Sequence, residues 1–185
     1  MIDMVLDTAK DDMERSVEAL QNDLATISTG RASTGLVDKI QVECYGQTSN
    51  LQQVAVISVP EPQMIVVRPF DPGTITDIER SLMKSDLGIT PSNDGKIIRL
   101  PIPPLTEDRR KELTKQVSKR MEDGKVSVRQ QRRNGMDDLK QLEKDKDISE
   151  DEYHEGSDKL QKLTDEYIEK VTAIGKAKSD ELMSI

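Results

Sequence analysis

The chain has 185 residues, a formal net charge of −8, and 34% each of apolar and charged residues; that is enough for one large domain or two small ones, but a thin supply for one broad core. Phe70, Tyr45, Tyr153 and Tyr167 are its only aromatics, a composition that suits long two-faced helices. The single cysteine, Cys44, excludes an internal disulfide framework and a thiolate metal cluster, and no apolar run nears the roughly 18 residues of a membrane span.

From the N-terminus, Ile2, Leu6, Ala9, Met13, Val17, Leu20, Leu24 and Ile27 follow steps of three and four residues. They make a helical seam that is expected to stop at Thr29-Gly30. The same stretch is acidic, so it is neither a secretory signal nor an Arg-rich transit peptide, and a cytoplasmic setting is expected.

Between Gly30 and Leu105 the pattern changes. Leu36–Tyr45 alternates in part and ends at Gly46, as a strand should. Val54–Val59 and Met64–Arg68 are β-branched runs split by Pro60-Glu61-Pro62. Ile75, Ile78 and Leu82 give Thr74–Asp86 a short helical stripe, Asn93-Asp94-Gly95 signals a turn, and Lys96–Leu100 reads as a further strand.

A second long helix is predicted after Pro103 and Pro104, with Thr106 as its N-cap and Glu107 and Asp108 at its positive end. Leu113, Val117, Met121, Val128, Leu139 and Leu142 share one arc of it, and Gly124 and Gly135 weaken it locally. It should run to the charged turn Asp145–Asp147. A third helix starts at Ser149-Glu150-Asp151-Glu152, a capping-box pattern, and carries its seam through Tyr153, Gly156, Leu160, Leu163, Tyr167, Val171 and Ile174.

The fold class is therefore α+β. Residues 1–29 plus 106–185 are expected to form an elongated antiparallel three-helix bundle, and residues 30–105 an inserted small domain. An inserted domain is joined by two chain crossings, here Gly30 and Arg31 on one side and Pro103, Pro104 and Leu105 on the other. Such a pair can form a hinge, permissive at Gly and limited by Pro, or a fixed corner; the sequence leaves both open.

Charge is uneven along this plan. Thr106–Asn134 holds ten basic against five acidic residues, a net +5, whereas 1–29 and 135–185 carry −5 and −7. On a helical wheel with Arg129 at zero, Lys111 falls at about 0°, Lys115 and Arg133 at about +40°, Lys125 at about −40° and Arg132 at about −60°. Arg110 falls near the apolar stripe, close to the helix end. Arg forks held in register on a rigid helix suit phosphate, and the lack of aromatics favours folded RNA backbone or an acidic protein over splayed single strands. The alternative is a solvated face whose arginines pair with the acidic first and third helices.

Chemistry is sparse. His154 lies in an acidic helix start and reads as solvated, and Cys44 has no nearby base and reads as a packing residue. There is no Gly-rich phosphate loop, HExxH or EF-hand spacing. No catalytic residue, metal site or cofactor is expected, and the chain is not read as an enzyme.

Across its whole length the sequence resembles the bacterial ribosome recycling factor family. The resemblance rests on Thr29-Gly30-Arg31-Ala32, Ile57-Ser58-Val59-Pro60-Glu61, Arg68-Pro69-Phe70-Asp71, Ser85-Asp86-Leu87-Gly88, Asn93-Asp94-Gly95, Ile98-Arg99-Leu100 and above all Leu105-Thr106-Glu107-Asp108-Arg109-Arg110-Lys111-Glu112-Leu113. It implies an L-shaped monomer with a β/α/β domain set at a large angle to the bundle. It also implies a noncatalytic role after termination, splitting the ribosome into subunits with elongation factor G and GTP. The bundle would lie on large-subunit ribosomal RNA through Arg110, Arg129, Arg132 and Arg133, while the small domain swings about its hinge. Where the family commonly reads Val-Arg-Asn-x-Arg-Arg followed by an acid, this chain keeps all three arginines, Arg129, Arg132 and Arg133, but has Gln130, Asn134 and Gly135. Outside the family, the competing reading is a helical scaffold for an acidic protein partner.

Overall fold

The computed structural model describes residues 1–184. In chain order its elements are α1 (Ile2–Ala25), β1 (Gln41–Cys44), β2 (Gln47–Asn50), α2 (Leu51–Val54), β3 (Ala55–Glu61), β4 (Met64–Pro69), α3 (Ile75–Lys84), β5 (Ser92–Asn93), β6 (Ile98–Pro101), α4 (Glu107–Lys144) and α5 (Glu150–Met183). They divide into two compact units, Met1–Leu24 with the chain from Lys111 onward, and Ala25–Arg110.

The first unit packs α1, α4 and α5 along the seams read from sequence. Met13, Val17, Leu20, Val128, Leu139, Leu160, Tyr167 and Val171 are each at most 5% exposed, and full burial of such side chains contributes ~1.5–3 kcal/mol apiece. Helix directions follow from the residues that meet. Ser16 bonds Ser127 and Gln131, while Asp23 pairs with Arg120, so α1 and α4 run antiparallel. A side-chain carbon on Gly124 would meet Val171, and one on Gly135 would meet Leu160, so α4 and α5 are antiparallel as well. Gly135, Gly156 and Gly175 are therefore places of close helix approach rather than weak points, each against a large apolar side chain of another helix, whereas Gly124 has ordinary room beside Leu20 and Val171.

Helix ends obey local chemistry. The seam predicts a helix up to Thr29, but α1 ends at Ala25 and Ile27 is buried outside it. Thr26, Ser28 and Thr29 carry hydroxyls that compete for backbone groups and Ile27 is β-branched, all unfavourable for a helix, and Ser28 Oγ accepts from the Gly30 N–H at 3.4 Å. At the other end of the unit, Lys146 adopts a φ of +62°, its N–H bonds the Glu143 carbonyl, and Asp147 N–H bonds that of Leu142. This closes α4 in a Schellman turn with Lys at the position usually held by Gly. Ser149 then caps α5, accepting from Glu152 N–H while the Glu152 carboxylate accepts from Ser149 N–H at 2.7 Å. The three acids at this helix start also suit its positive end.

The Ala25–Arg110 unit holds an antiparallel sheet in the order β3-β4-β6-β5 and a separate β1-β2 hairpin. Ile65 and Val67 of β4, Ile98 and Leu100 of β6, Val42 of β1 and Ile78 and Leu82 of α3 share one core with Leu51 and Ile102. The strand expected over Leu36–Tyr45 begins only at Gln41. Its first part is a 3-10 turn, Thr34–Leu36, where Ser33 Oγ accepts from Gly35 N–H. Leu36 and Val37 are both buried, and neighbours pointing the same way cannot satisfy a strand's alternation. The expected break at Pro60 is also displaced: β3 continues through it to Glu61 with a register shift after Ser58. β3 lies at the sheet edge, where a residue lacking N–H is tolerated.

Candidate nucleic-acid interface

α4 begins where Thr106 Oγ1 accepts from the Arg109 N–H at 3.2 Å. Its buried line, Leu113, Val117, Val128, Gly135 and Leu139, fixes which sides remain outside. One flank meets α1. There Gln131 Nε2 donates to Ser16 Oγ at 2.8 Å and Ser127 Oγ at 3.3 Å, and charges are matched, with Arg120 beside Asp23 at 3.2 Å and Arg15 beside Asp12 at 3.0 Å.

The other flank carries the basic residues. Arg129 and Arg133 are exposed and form no ion pair with another described residue. Arg132 is half-buried and turns toward α5, where its Nη1 donates to the neutral amide oxygen of Gln161 at 3.0 Å. The acids of α1 and α5 thus do not neutralise the three arginines. Lys125 differs: its side chain is 16% exposed and its Nζ lies 3.2 Å from Glu122 on the same helix.

Placement along the axis separates the remaining candidates. Lys111 shares the wheel angle of Arg129, but 18 residues put it about 27 Å away along a straight helix, so it extends a stripe rather than joining a patch. Arg110 is half-buried in the first turn and is the last residue of the Ala25–Arg110 unit. Gln130 and Asn134 bond each other, Nε2 to Oδ1 at 3.0 Å, so two of the three departures from the family pattern satisfy one another and leave the arginines alone. Gln161 was not legible as a partner of Arg132. It lies 29 residues away on another helix, with no local pattern to announce it.

The crossing residues all fall within Ala25–Arg110. Gly30 is buried with a φ of +77°, Arg31, Pro103 and Pro104 are exposed, and Leu105 is half-buried. Just inside them, Ala32 N–H donates to the Pro62 carbonyl at 2.7 Å and Ile102 N–H to the Gln63 carbonyl at 2.8 Å. One turn, between β3 and β4, therefore holds both strands.

Elsewhere, His154 is exposed and Cys44 buried. Burial, with Asp77 and Asp71 adding negative charge, pushes the Cys44 thiol pKa up and away from thiolate chemistry. Among the described residues no three His, Cys, Asp or Glu side chains gather as metal ligands, and no helix is long and apolar enough to cross a membrane.

Comparison with known proteins identifies the family. The family model described as ribosome recycling factor matches residues 20–183. Ribosome-recycling factors of Chloroflexus aggregans and Bacillus licheniformis are 52% and 49% identical over the full length of both chains. A solution structure of the ribosome recycling factor, 38% identical, superposes with a TM-score of 0.80, covering all of this chain and 98% of that one. A second match has 37% identity, full coverage of both chains and a TM-score of 0.68; it comes from models of the T. thermophilus ribosome recycling factor and E. coli elongation factor G bound to the E. coli post-termination complex. With a family match over most of its length and relatives near half identity end to end, the chain belongs to the ribosome recycling factor family.

Proposed function

We propose that this protein binds the post-termination ribosome in the cytoplasm and, with elongation factor G and GTP, promotes its separation into subunits. The α4 flank bearing Arg129, Arg132 and Arg133 is the docking face for large-subunit ribosomal RNA, with Lys125 and Lys111 extending it and Arg110 contributing at the helix start. The observation that carries this reading is electrostatic. In a chain of net charge −8, three arginines on one helix have no acidic partner among the described residues, which leaves a local positive face available to a polyanion. The relative seen with elongation factor G on a post-termination complex supports the choice of partners.

The factor itself contributes binding and motion; GTP hydrolysis belongs to elongation factor G. Gly30 and Arg31 with Pro103, Pro104 and Leu105 serve as the hinge. The hydrogen bonds that hold Ala32 and Ile102 to one turn support this placement, because they leave the residues just outside as the first positions able to rotate. Adding the protein to post-termination complexes with elongation factor G and GTP should yield free subunits in a sedimentation profile. An unchanged 70S peak, under conditions where a known family member splits it, would overturn the proposal.

A further inference from the structure

We propose that Gln161 and Asp165 of α5 position the Arg132 guanidinium for a phosphate while leaving its charge uncompensated; this rests on the reading of α4 as the docking face. Arg132 Nη1 donates to Gln161 Oε1 at 3.0 Å, and Gln161 Nε2 donates to Asp165 Oδ1 at 2.9 Å. The second bond decides how the first is made. A carboxylate can only accept, so Asp165 takes the NH2 end of the amide and turns its carbonyl toward Arg132. The amide also keeps the acid one step removed from the arginine.

The order of these groups matters for binding. A carboxylate directly on Arg132 would make a charge-assisted pair that a phosphate would have to break. A carbonyl occupies one N–H of the fork, leaves the remainder unengaged and adds no charge. It also restricts a side chain that otherwise samples many rotamers, so less freedom is lost when phosphate binds. Among the described residues Arg129 and Arg133 have no such holder, which makes Arg132 the pre-oriented member of the face.

The test measures binding to purified large ribosomal subunits across a salt series, for the parent and for Gln161→Glu, Gln161→Ala, Arg132→Ala and Gln161→Glu with Arg132→Ala. Gln161→Glu should bind about three- to tenfold more weakly, with a salt slope shallower by about one, because Arg132 is then satisfied internally. Gln161→Ala should lose only about threefold with an unchanged slope. In the Arg132→Ala background the Gln161→Glu penalty should disappear. Thermal unfolding of both Gln161 variants should match the parent, since an exposed pair adds little.

Parent affinity and slope for Gln161→Glu, with Arg132→Ala still impaired, would overturn the positioning role and leave the docking face standing. A Gln161→Glu penalty undiminished in the Arg132→Ala background would also overturn it, as simple repulsion of RNA. Parent-like binding by Arg132→Ala would instead sink the docking-face reading itself, and this inference with it.

Discussion

A Cβ on Gly30 would stand 3.1 Å from the backbone nitrogen of Leu105 and 3.3 Å from its Cγ, so the two crossings touch where only a hydrogen fits. Gly30 also has a φ of +77°, a region that costs an L residue roughly 1–2 kcal/mol. Space and backbone thus ask independently for the same residue.

Gly30→Ala should therefore destabilise the Ala25–Arg110 unit by about 2 kcal/mol. Amide exchange read residue by residue should quicken at Ile65 and Val67, in β4, and stay unchanged at Leu139 and Leu160. Binding to large subunits should remain normal, because the α4 face is untouched, while splitting with elongation factor G slows. Equal loosening at all four positions would argue against a local effect.

The bundle glycines separate by the room around them. At Gly124 an added Cβ would lie 3.4 Å from Leu20 Cδ2 and Val171 Cγ1, an ordinary contact. Gly124→Ala should thus gain roughly the 0.8–1 kcal/mol of helix propensity. At Gly135 it would lie 2.9 Å from Leu160 Cδ2, on a side chain with no exposure. Overpacking of ~1–3 kcal/mol then outweighs propensity, and Gly135→Ala should be less stable than the parent. Denaturant midpoints moving in the same direction for both variants would contradict this packing account.

Much of this was readable because it depends on spacing along one helix. The α1 and α5 seams, the Ser149–Glu152 cap and the basic flank of α4 each arise from residues within a few turns of one another. Where the reading failed, contacts distant in sequence decided the outcome. Leu36–Tyr45 alternates in part and so suggests one strand, but the core takes both Leu36 and Val37, and the Ser33 turn lets it. Gly124 and Gly135 read alike as local weaknesses of a helix, and only Leu160 packed against Gly135 tells them apart. The holding of Arg132 by Gln161, and of Ala32 and Ile102 by one turn, needs the tertiary fold.

Asp94 supplies a pH-dependent element. Its Oδ1 accepts from Ile97 and Lys96 N–H groups at 2.9 Å each, and its Oδ2 from Arg99 at 3.0 Å. These donors, the Ile97 amide foremost, lower its pKa from 3.8 to about 2. An acid whose pKa is depressed by folding stabilises the fold above its unfolded pKa and loses that contribution as pH falls through the folded one. The difference in unfolding midpoint between the parent and Asp94→Ala should hold from pH 7 to 5 and shrink between about pH 4 and pH 2. Because backbone amides lead, 1 M salt should alter that difference little. A carboxyl titration midpoint near the usual value in the folded protein would refute the assignment.

The basic flank should not respond uniformly to truncation. Arg129 and Arg133 are exposed with no acidic partner among the described residues, so alanine at either should weaken large-subunit binding and flatten the salt dependence by about one counterion. Lys125 lies 3.2 Å from Glu122, and its charge is already partly answered, so Lys125→Ala should change the slope by less than half as much. The sharper test is Glu122→Gln, which removes an acid and leaves Lys125 in place. If Glu122 holds Lys125 back from RNA, binding tightens and the slope steepens only while Lys125 is present. Tightening of the same size in a Lys125→Ala background would mean that Glu122 acts through the general field of the helix, and the pairing would have no bearing on docking.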